Sequence, residues 1–243
     1  MKYAVKTDIG KRLHNEDSYL LPSECPGVCL FAVADGMGGH AAGAVASKLL
    51  VDGLLEGETA FESGREVAQL KSTVERVNLT VFEAAEDDIA LRGMGSTLVC
   101  ALVRGKKYIA ANVGDSRLYQ FGGDALMRVT TDHSYVEQLV QQGVITKEDA
   151  RFHPQRNIIT RAMGVSPTVD VDVFERDWEE GDILLLCSDG LHGAMEEDEI
   201  AEVLRSESTL EEMCDALVET ALDNGGTDNV TVVLVRCEEG DDA

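Results

Sequence analysis

Basic residues are scarce in this chain of 243 residues: 21 Lys and Arg stand against 45 Asp and Glu, a formal net charge of −24. Nucleic-acid backbones are gripped mainly by clustered Lys and Arg, so a general nucleic-acid binder is excluded. An anionic membrane surface repels such a chain for the same reason. No apolar run approaches the ~20 residues of a membrane span. The opening Met1-Lys2-Tyr3-Ala4-Val5 alternates at once and lacks a signal peptide's apolar stretch, so a cytoplasmic protein is expected. Cys25, Cys29, Cys100, Cys187, Cys214 and Cys237 are scattered, mostly inside apolar runs. They read as small buried hydrophobes in a reducing compartment rather than as a disulfide framework. No second Cys or His pair accompanies Cys25 and Cys29, so zinc is not expected. Internal repeats and low-complexity segments are also missing.

What is present is apolar material: 44% of residues are hydrophobic, too many for an acidic disordered chain. A single domain of this length buries roughly 70–75% of its unfolded surface, so one domain spanning 1–243 is expected. Val28 to Val33, Leu98 to Val103, Ile183 to Cys187 and Val230 to Val235 are short continuous apolar runs bounded by Gly, Asp or a charge. That is the pattern of strands covered on both faces. Tyr108 to Val113 and Ser116 to Phe121 are further strands around a Gly114-Asp115 turn. Val67, Leu70, Val74, Val77, Val81 and Ala84 recur at helical spacing, and a small-residue helix runs from Ala41 to about Leu55. A later helix pair covers Glu196 to Leu204 and Leu210 to Leu222, the first opening on an acidic turn. Between Asp132 and Gly164 the pattern weakens to one helix, Ser134 to Gln142, and a Pro154 break, which reads as an excursion over the core. Strands come in groups with helices between the groups, which predicts an α+β fold.

Four aspartates do not behave like surface. Asp35 follows the run Leu30 to Ala34, Asp189 follows Leu184 to Ser188, Asp115 follows a strand and Gly114, and Asp228 stands just before Val230. Gly36 and Gly190 next to two of them leave room for backbone carbonyls and waters to approach. Carboxylates that converge at strand ends repel one another and stay ionised together only beside a cation. An all-oxygen site of this kind selects Mg²⁺ or Mn²⁺, and several Asp can hold two ions roughly 3.5–4 Å apart. Each aspartate alone reads equally as a turn residue or a helix cap.

The segments around them resemble one family, the metal-dependent Ser/Thr protein phosphatases of type 2C in their compact bacterial form. The resemblance runs in order through Gly10-Lys11-Arg12-Leu13-His14-Asn15-Glu16-Asp17, Asp35-Gly36-Met37-Gly38-Gly39-His40, Gly95-Ser96-Thr97-Leu98 and Asn112-Val113-Gly114-Asp115-Ser116-Arg117. It closes with Ser188-Asp189-Gly190-Leu191 and Gly226-Thr227-Asp228-Asn229-Val230-Thr231, while His153 to Gly164 is similar to the family's flap. It implies a sandwich of two antiparallel β-sheets flanked by pairs of α-helices, with a flap insertion at about 133–165. It implies that Asp35 bridges two catalytic Mn²⁺ or Mg²⁺ ions, that the Gly36 carbonyl binds one, and that Asp189 and Asp228 bind the second. Asp115, with Asp189, is implied to hold a weaker third ion. Glu16 and Asp17 then orient metal-bound waters, Arg12 grips the substrate phosphate, and Asn229 supports the nucleophile region.

The implied reaction is hydrolysis of phosphoserine and phosphothreonine in phosphoproteins by a hydroxide that bridges the two ions, with no phospho-enzyme intermediate. The implied partners are phosphoprotein substrates, among them a cognate Ser/Thr kinase; a monomer is expected. One position departs from the eukaryotic pattern: Met37 stands where a His follows Asp-Gly, and His40 is the nearest substitute as proton donor to the leaving oxygen. His40 reads equally as a helix-end surface residue, and a metal-bound water is the other candidate acid. His133, His153 and His192 read as local hydrogen-bonding residues, and Trp178 as packing. The rival readings are an inactive metal-sensing or phosphoprotein-docking relative, a phosphatase dedicated to one regulator, and an acidic chelating globule.

Overall fold

A computed structural model describes residues 1–22, 27–39, 42–57 and 61–238. In chain order the first elements are strands β1 (Lys2–Asp8), β2 (Asp17–Leu20) and β3 (Cys29–Met37), then helices α1 (Ala42–Gly57) and α2 (Glu66–Asp87). Strands β4 (Gly95–Ser96), β5 (Leu98–Arg104), β6 (Lys107–Val113), β7 (Arg117–Gly122) and β8 (Ala125–Arg128) follow. Helices α3 (Tyr135–Gln141) and α4 (Lys147–Arg151) precede β9 (Asp172–Asp177) and β10 (Ile183–Cys187). The chain ends with α5 (Asp189–His192), α6 (Glu197–Leu204), α7 (Leu210–Asp223) and β11 (Val230–Arg236).

The strands form two antiparallel sheets, ordered β1-β11-β10-β7-β8 and β2-β3-β5-β6-β9, with β4 paired to β3. The alternation of side chains along each strand explains the continuous apolar runs. Phe31 and Val33 of β3 meet Leu184, Leu186, Val233 and Val235 between the sheets, where Trp178 and Tyr108 are also buried. Leu30, Ala32 and Ala34 face the other way, against Leu50, Leu54, Val74 and Val77 of α1 and α2. Ile183, Leu185, Val232 and Leu234 meet Ile200, Met213 and Leu217 of α6 and α7. The result is helices, sheet, sheet, helices: the expected layered sandwich. Trp178 is packing, as expected, with its Nε1–H donating to the Gly105 carbonyl at 2.9 Å.

The central strands lie where the apolar runs place them, within about three residues at their ends. Three strands carry no such run, and β2, β8 and β9 are all at sheet edges. An edge strand has one neighbour and one wet side, so it needs no continuous apolar stretch. Asp35 does not follow its strand but lies inside β3, paired with Asp17 of β2. Cys29 is disulfide-bonded, contrary to the expectation of reduced cysteines throughout, because its thiol is engaged covalently; Cys25 lies outside the described residues. Cys100, Cys187 and Cys214 are free and buried, as expected, and Cys237 is buried. Among the described residues, no helix is long and apolar enough to cross a membrane.

Candidate active site

The site forms at one end of the sandwich, where the β2–β3 pair, the β6–β7 turn, the start of α5 and the start of β11 meet. Close backbone contact brings these pieces together. A methyl group at Gly36 would stand 2.1 Å from the Gly43 carbonyl oxygen, and one at Gly190 would stand 2.0 Å from that of Asn229. Only glycine permits such approach. Asn229 then acts as a fastener: its Nδ2 donates to the carbonyls of Ile9 (2.9 Å) and His14 (3.0 Å), and its Oδ1 accepts from Glu16 N–H at 2.8 Å. The loop carrying Arg12 is thereby tied to the segment carrying Asp228.

Asp35 is anchored through its backbone: its N–H donates to Thr97 Oγ1 at 3.0 Å, and its carbonyl accepts from Thr97 N–H at 2.8 Å. Thr97 Oγ1 in turn meets Ser116 Oγ at 2.7 Å, which links β3 to the turn bearing Asp115. The Asp35 carboxyl is thus free to face its neighbours. Burial pushes its pKa well above the carboxylate range, and the nearby charges of Asp17, Asp189, Asp115 and Asp228 push it further. Asp115 is raised in the same way, by burial and then by Asp189 and Asp132. Burial and Asp228 lift Asp189 to about 6, although it shares a hydrogen bond with Asp35. Asp17, which accepts from Ser188 Oγ at 2.8 Å, is lifted by burial to about 7.

Among the described residues, three buried carboxylate oxygens have no hydrogen-bond partner: Glu16 Oε1, Asp17 Oδ1 and Asp189 Oδ1. A buried acceptor left unmet costs about 1–3 kcal/mol. Among the described residues, no three His, Cys, Asp or Glu side chains stand as a ready-made ligand cluster. Asp228 instead holds Arg12, with Nη2 donating to Oδ2 at 2.6 Å, and Arg12 also feels Asp189 and Asp35. Hard oxygen donors, raised carboxyl pKa values and unmet buried oxygens fit divalent Mg²⁺ or Mn²⁺.

Asp35, Asp17, Asp115, Asp189 and Asp228 lie near enough to feel one another's charge, and Asn229 and Arg12 bond to the same loops. His40 lies outside the described residues. His14 points no described side-chain bond into the site; its carbonyl is what Asn229 uses. Sequence reasoning underrated Thr97, Ser116 and His192. Thr97 and Ser116 are buried hydroxyls in apolar surroundings, and that oddity was the available signal. His192 Nε2–H donates to the Asp115 carbonyl at 3.0 Å, and burial pushes its pKa down to about 3. A cavity of about 630 Å³ is lined by Asp115 and Asp189 together with Val136, Arg151 and Phe152.

A family model described as protein phosphatase 2C matches residues 6–232. The serine/threonine phosphatase stp of Listeria innocua serovar 6a is 42% identical over 236 residues, spanning 95% of this chain and 94% of that protein. The crystal structure of the serine/threonine phosphatase Stp1 from Staphylococcus aureus superposes with a TM-score of 0.93 at 40% identity, over 98% of this chain and 95% of that one. The catalytic domain of the serine threonine protein phosphatase PstP, in complex with 2 manganese ions, superposes with a TM-score of 0.86 at 36% identity, over 96% of each chain.

Proposed function

The chain belongs to the protein phosphatase 2C family and is a metal-dependent serine/threonine phosphatase, and from that premise we propose the residues that carry the reaction. Asp35, the Gly36 carbonyl, Asp189 and Asp228 would hold two Mn²⁺ or Mg²⁺ ions, with Asp35 shared between them, and Asp115 with Asp189 would hold a weaker third ion. The observation that carries this reading is the set of unmet buried oxygens on Glu16, Asp17 and Asp189. When bound, the ions supply a water made acidic toward neutral pH and positive charge for the phosphoryl oxygens.

The protein's own groups do the rest. Glu16 and Asp17 present acceptor oxygens that orient water protons. Arg12 offers a planar fork to the phosphate oxygens, and moving from Asp228 to substrate trades one carboxylate partner for a dianion. Asn229 keeps the Arg12 loop registered against Asp228, so the phosphate meets the ions in a fixed orientation. Met37 has no proton to give, and His40 is the candidate donor to the leaving serine or threonine oxygen.

Residues 1–243 form one catalytic domain whose flap is the excursion at about 133–165. Its substrates are phosphoproteins, a cognate Ser/Thr kinase among them, and it works as a cytoplasmic monomer that touches neither nucleic acid nor membrane. The test is phosphate release from a phosphothreonine peptide, with Mn²⁺ and after chelation, for the native chain and for Asp189→Asn. Release that persists after chelation, or in Asp189→Asn at native rate, rejects the assignment.

A further inference from the structure

The turn that presents Asp115 is held from outside by two histidines, each in a single tautomer. Gly114 has φ +107°, a conformation open to glycine, and a methyl group there would stand 2.7 Å from the Thr97 side chain. Gly114 N–H donates to His133 Nδ1 at 3.0 Å, and the Gly114 carbonyl accepts from His133 N–H at 2.9 Å. Since Nδ1 accepts, the His133 proton is on Nε2, which donates to Asp172 Oδ2 at 3.1 Å. Arg161 Nη1 also sits 2.9 Å from Nε2 and donates to Asp172 Oδ1 at 2.6 Å. On the other side, His192 Nε2–H donates to the Asp115 carbonyl at 3.0 Å. An acceptor there requires the proton on Nε2.

The two imidazoles come from different parts of the fold. His192 is the last residue of α5, whose first residue is Asp189. It therefore ties the backbone of Asp115 to the short helix that carries Asp189. His133 stands at the root of the excursion between β8 and β9: its carbonyl accepts from Thr160 N–H at 2.7 Å, and Tyr135 N–H donates to the Ile158 carbonyl at 2.8 Å. His133 thus joins both roots of the excursion to the Asp115 turn.

We propose that His192 and His133 are positioning residues for the Asp115–Asp189 ion site: His192 sets the separation of the two carboxylates, and His133 ties that separation to the excursion above them. The inference rests on the reading that Asp115 and Asp189 share the weaker ion. Neither imidazole touches substrate. Each works through one hydrogen bond to the turn's backbone, so what counts is which atom reaches the turn, not the bulk of the ring.

Side-chain reach gives the test. His192→Gln places an amide N–H where Nε2–H stands, whereas His192→Asn is one methylene too short. At position 133 the order reverses, because Asn puts an acceptor near the place of Nδ1 and Gln puts its amide toward Asp172. Mn²⁺ titration of the native chain and the four variants, read by the EPR signal of free Mn²⁺, resolves the binding steps without any turnover. The weakest step should fall about 10- to 100-fold in His192→Asn and His133→Gln, the usual effect of losing a group that orients a ligand. It should stay within about threefold of native in His192→Gln and His133→Asn, and the tighter steps should not move. Equal losses within each pair, or losses shared by every step, overturn the clamp. A native chain with no third step overturns the reading of Asp115 itself, and the clamp with it.

Discussion

Two groups of buried aspartates lie within one neighbourhood of this molecule and behave oppositely. Asp132 is buried, yet Arg117 grips it with Nε at 3.0 and 3.1 Å and Nη2 at 2.6 Å, and Arg128 adds a contact at 3.7 Å. Burial works against its charge, but Arg117 overcomes it and holds the Asp132 pKa below the ordinary value. Asp115 is as buried as Asp132, and Asp35 and Asp189 are half-buried; none of the three is gripped by an arginine, so desolvation and their mutual charges raise them all. A protein that needs a buried carboxylate only for architecture supplies its own counter-charge. Where it withholds one, the charge is left for something that arrives from solution.

The largest effect should come from removing charge in the unpaired group. Asp35→Asn should lower kcat by on the order of 10³-fold or more, since the charge stabilisation lost is several kcal/mol. The same change should raise the melting temperature of the chelated protein, because a raised carboxyl is relieved. A variant that keeps native kcat with Mn²⁺ would show that Asp35 has no such role. Asp132→Asn should do the reverse: it strands Arg117 and costs about 3–5 kcal/mol of stability by denaturant melts. Mn²⁺ affinity should change far less, and an equal loss of metal binding would dissolve the distinction between the groups.

Arg12→Ala should weaken phosphate binding about 10- to 100-fold, the worth of hydrogen bonds to a charged group, while leaving Mn²⁺ affinity near native. Inhibition by inorganic phosphate measures the first and EPR the second; parallel losses would contradict a phosphate grip. The smallest effect is in pH. Asp17 at about 7 and Asp189 at about 6 are raised from 3.8. Their contribution to the stability of the chelated protein is complete below pH ~4 and is lost as pH climbs through 6 to 7. Asp132, lowered, contributes in full above pH ~4 and loses its contribution only in stronger acid, as pH falls through its lowered value. Melting temperature in chelator should therefore fall from pH 5 to 7.5, less so in Asp17→Asn. Mn²⁺ affinity should rise over the same window as ions displace protons. A flat melting profile would remove the raised carboxyls from the account.

Much of this was legible in the residues. Leu30 to Ala34 and Leu184 to Cys187 announce strands covered on both faces because alternate side chains enter two different apolar layers. The helix through Val67, Leu70, Val74 and Val77 is written at period 3.6, and its stripe is the buried face. The edge strands β2, β8 and β9 were not legible: Asp172 to Asp177 carries no continuous apolar run, and pairing with β6 makes it a strand. Nor was α4, whose five residues depend on the capping box of Thr146 and Asp149. In the site, Asp35, Asp115, Asp189 and Asp228 stood out by position next to apolar runs. His133 and His192 read as local hydrogen-bonding residues, which they are, but the sequence could not say that both bonds end on the same turn.

The short apolar runs and the aspartates beside them were enough to predict an α+β fold and to point to divalent metal, while the layered sandwich was implied by the family resemblance. These features follow from local chemistry, since burial periodicity and charge type are properties of the chain at each position. Which buried aspartate has a partner depends on residues far apart in sequence. Arg117 and Asp132 are fifteen positions apart, Arg12 and Asp228 are 216 apart, and Asp115 and His192 are 77 apart. Pairing of β1 with β11, of β10 with β7 and of β7 with β8 in one sheet brings such groups within about 3 Å, so tertiary structure alone separated Asp132, gripped by an arginine, from the aspartates whose charges face one another.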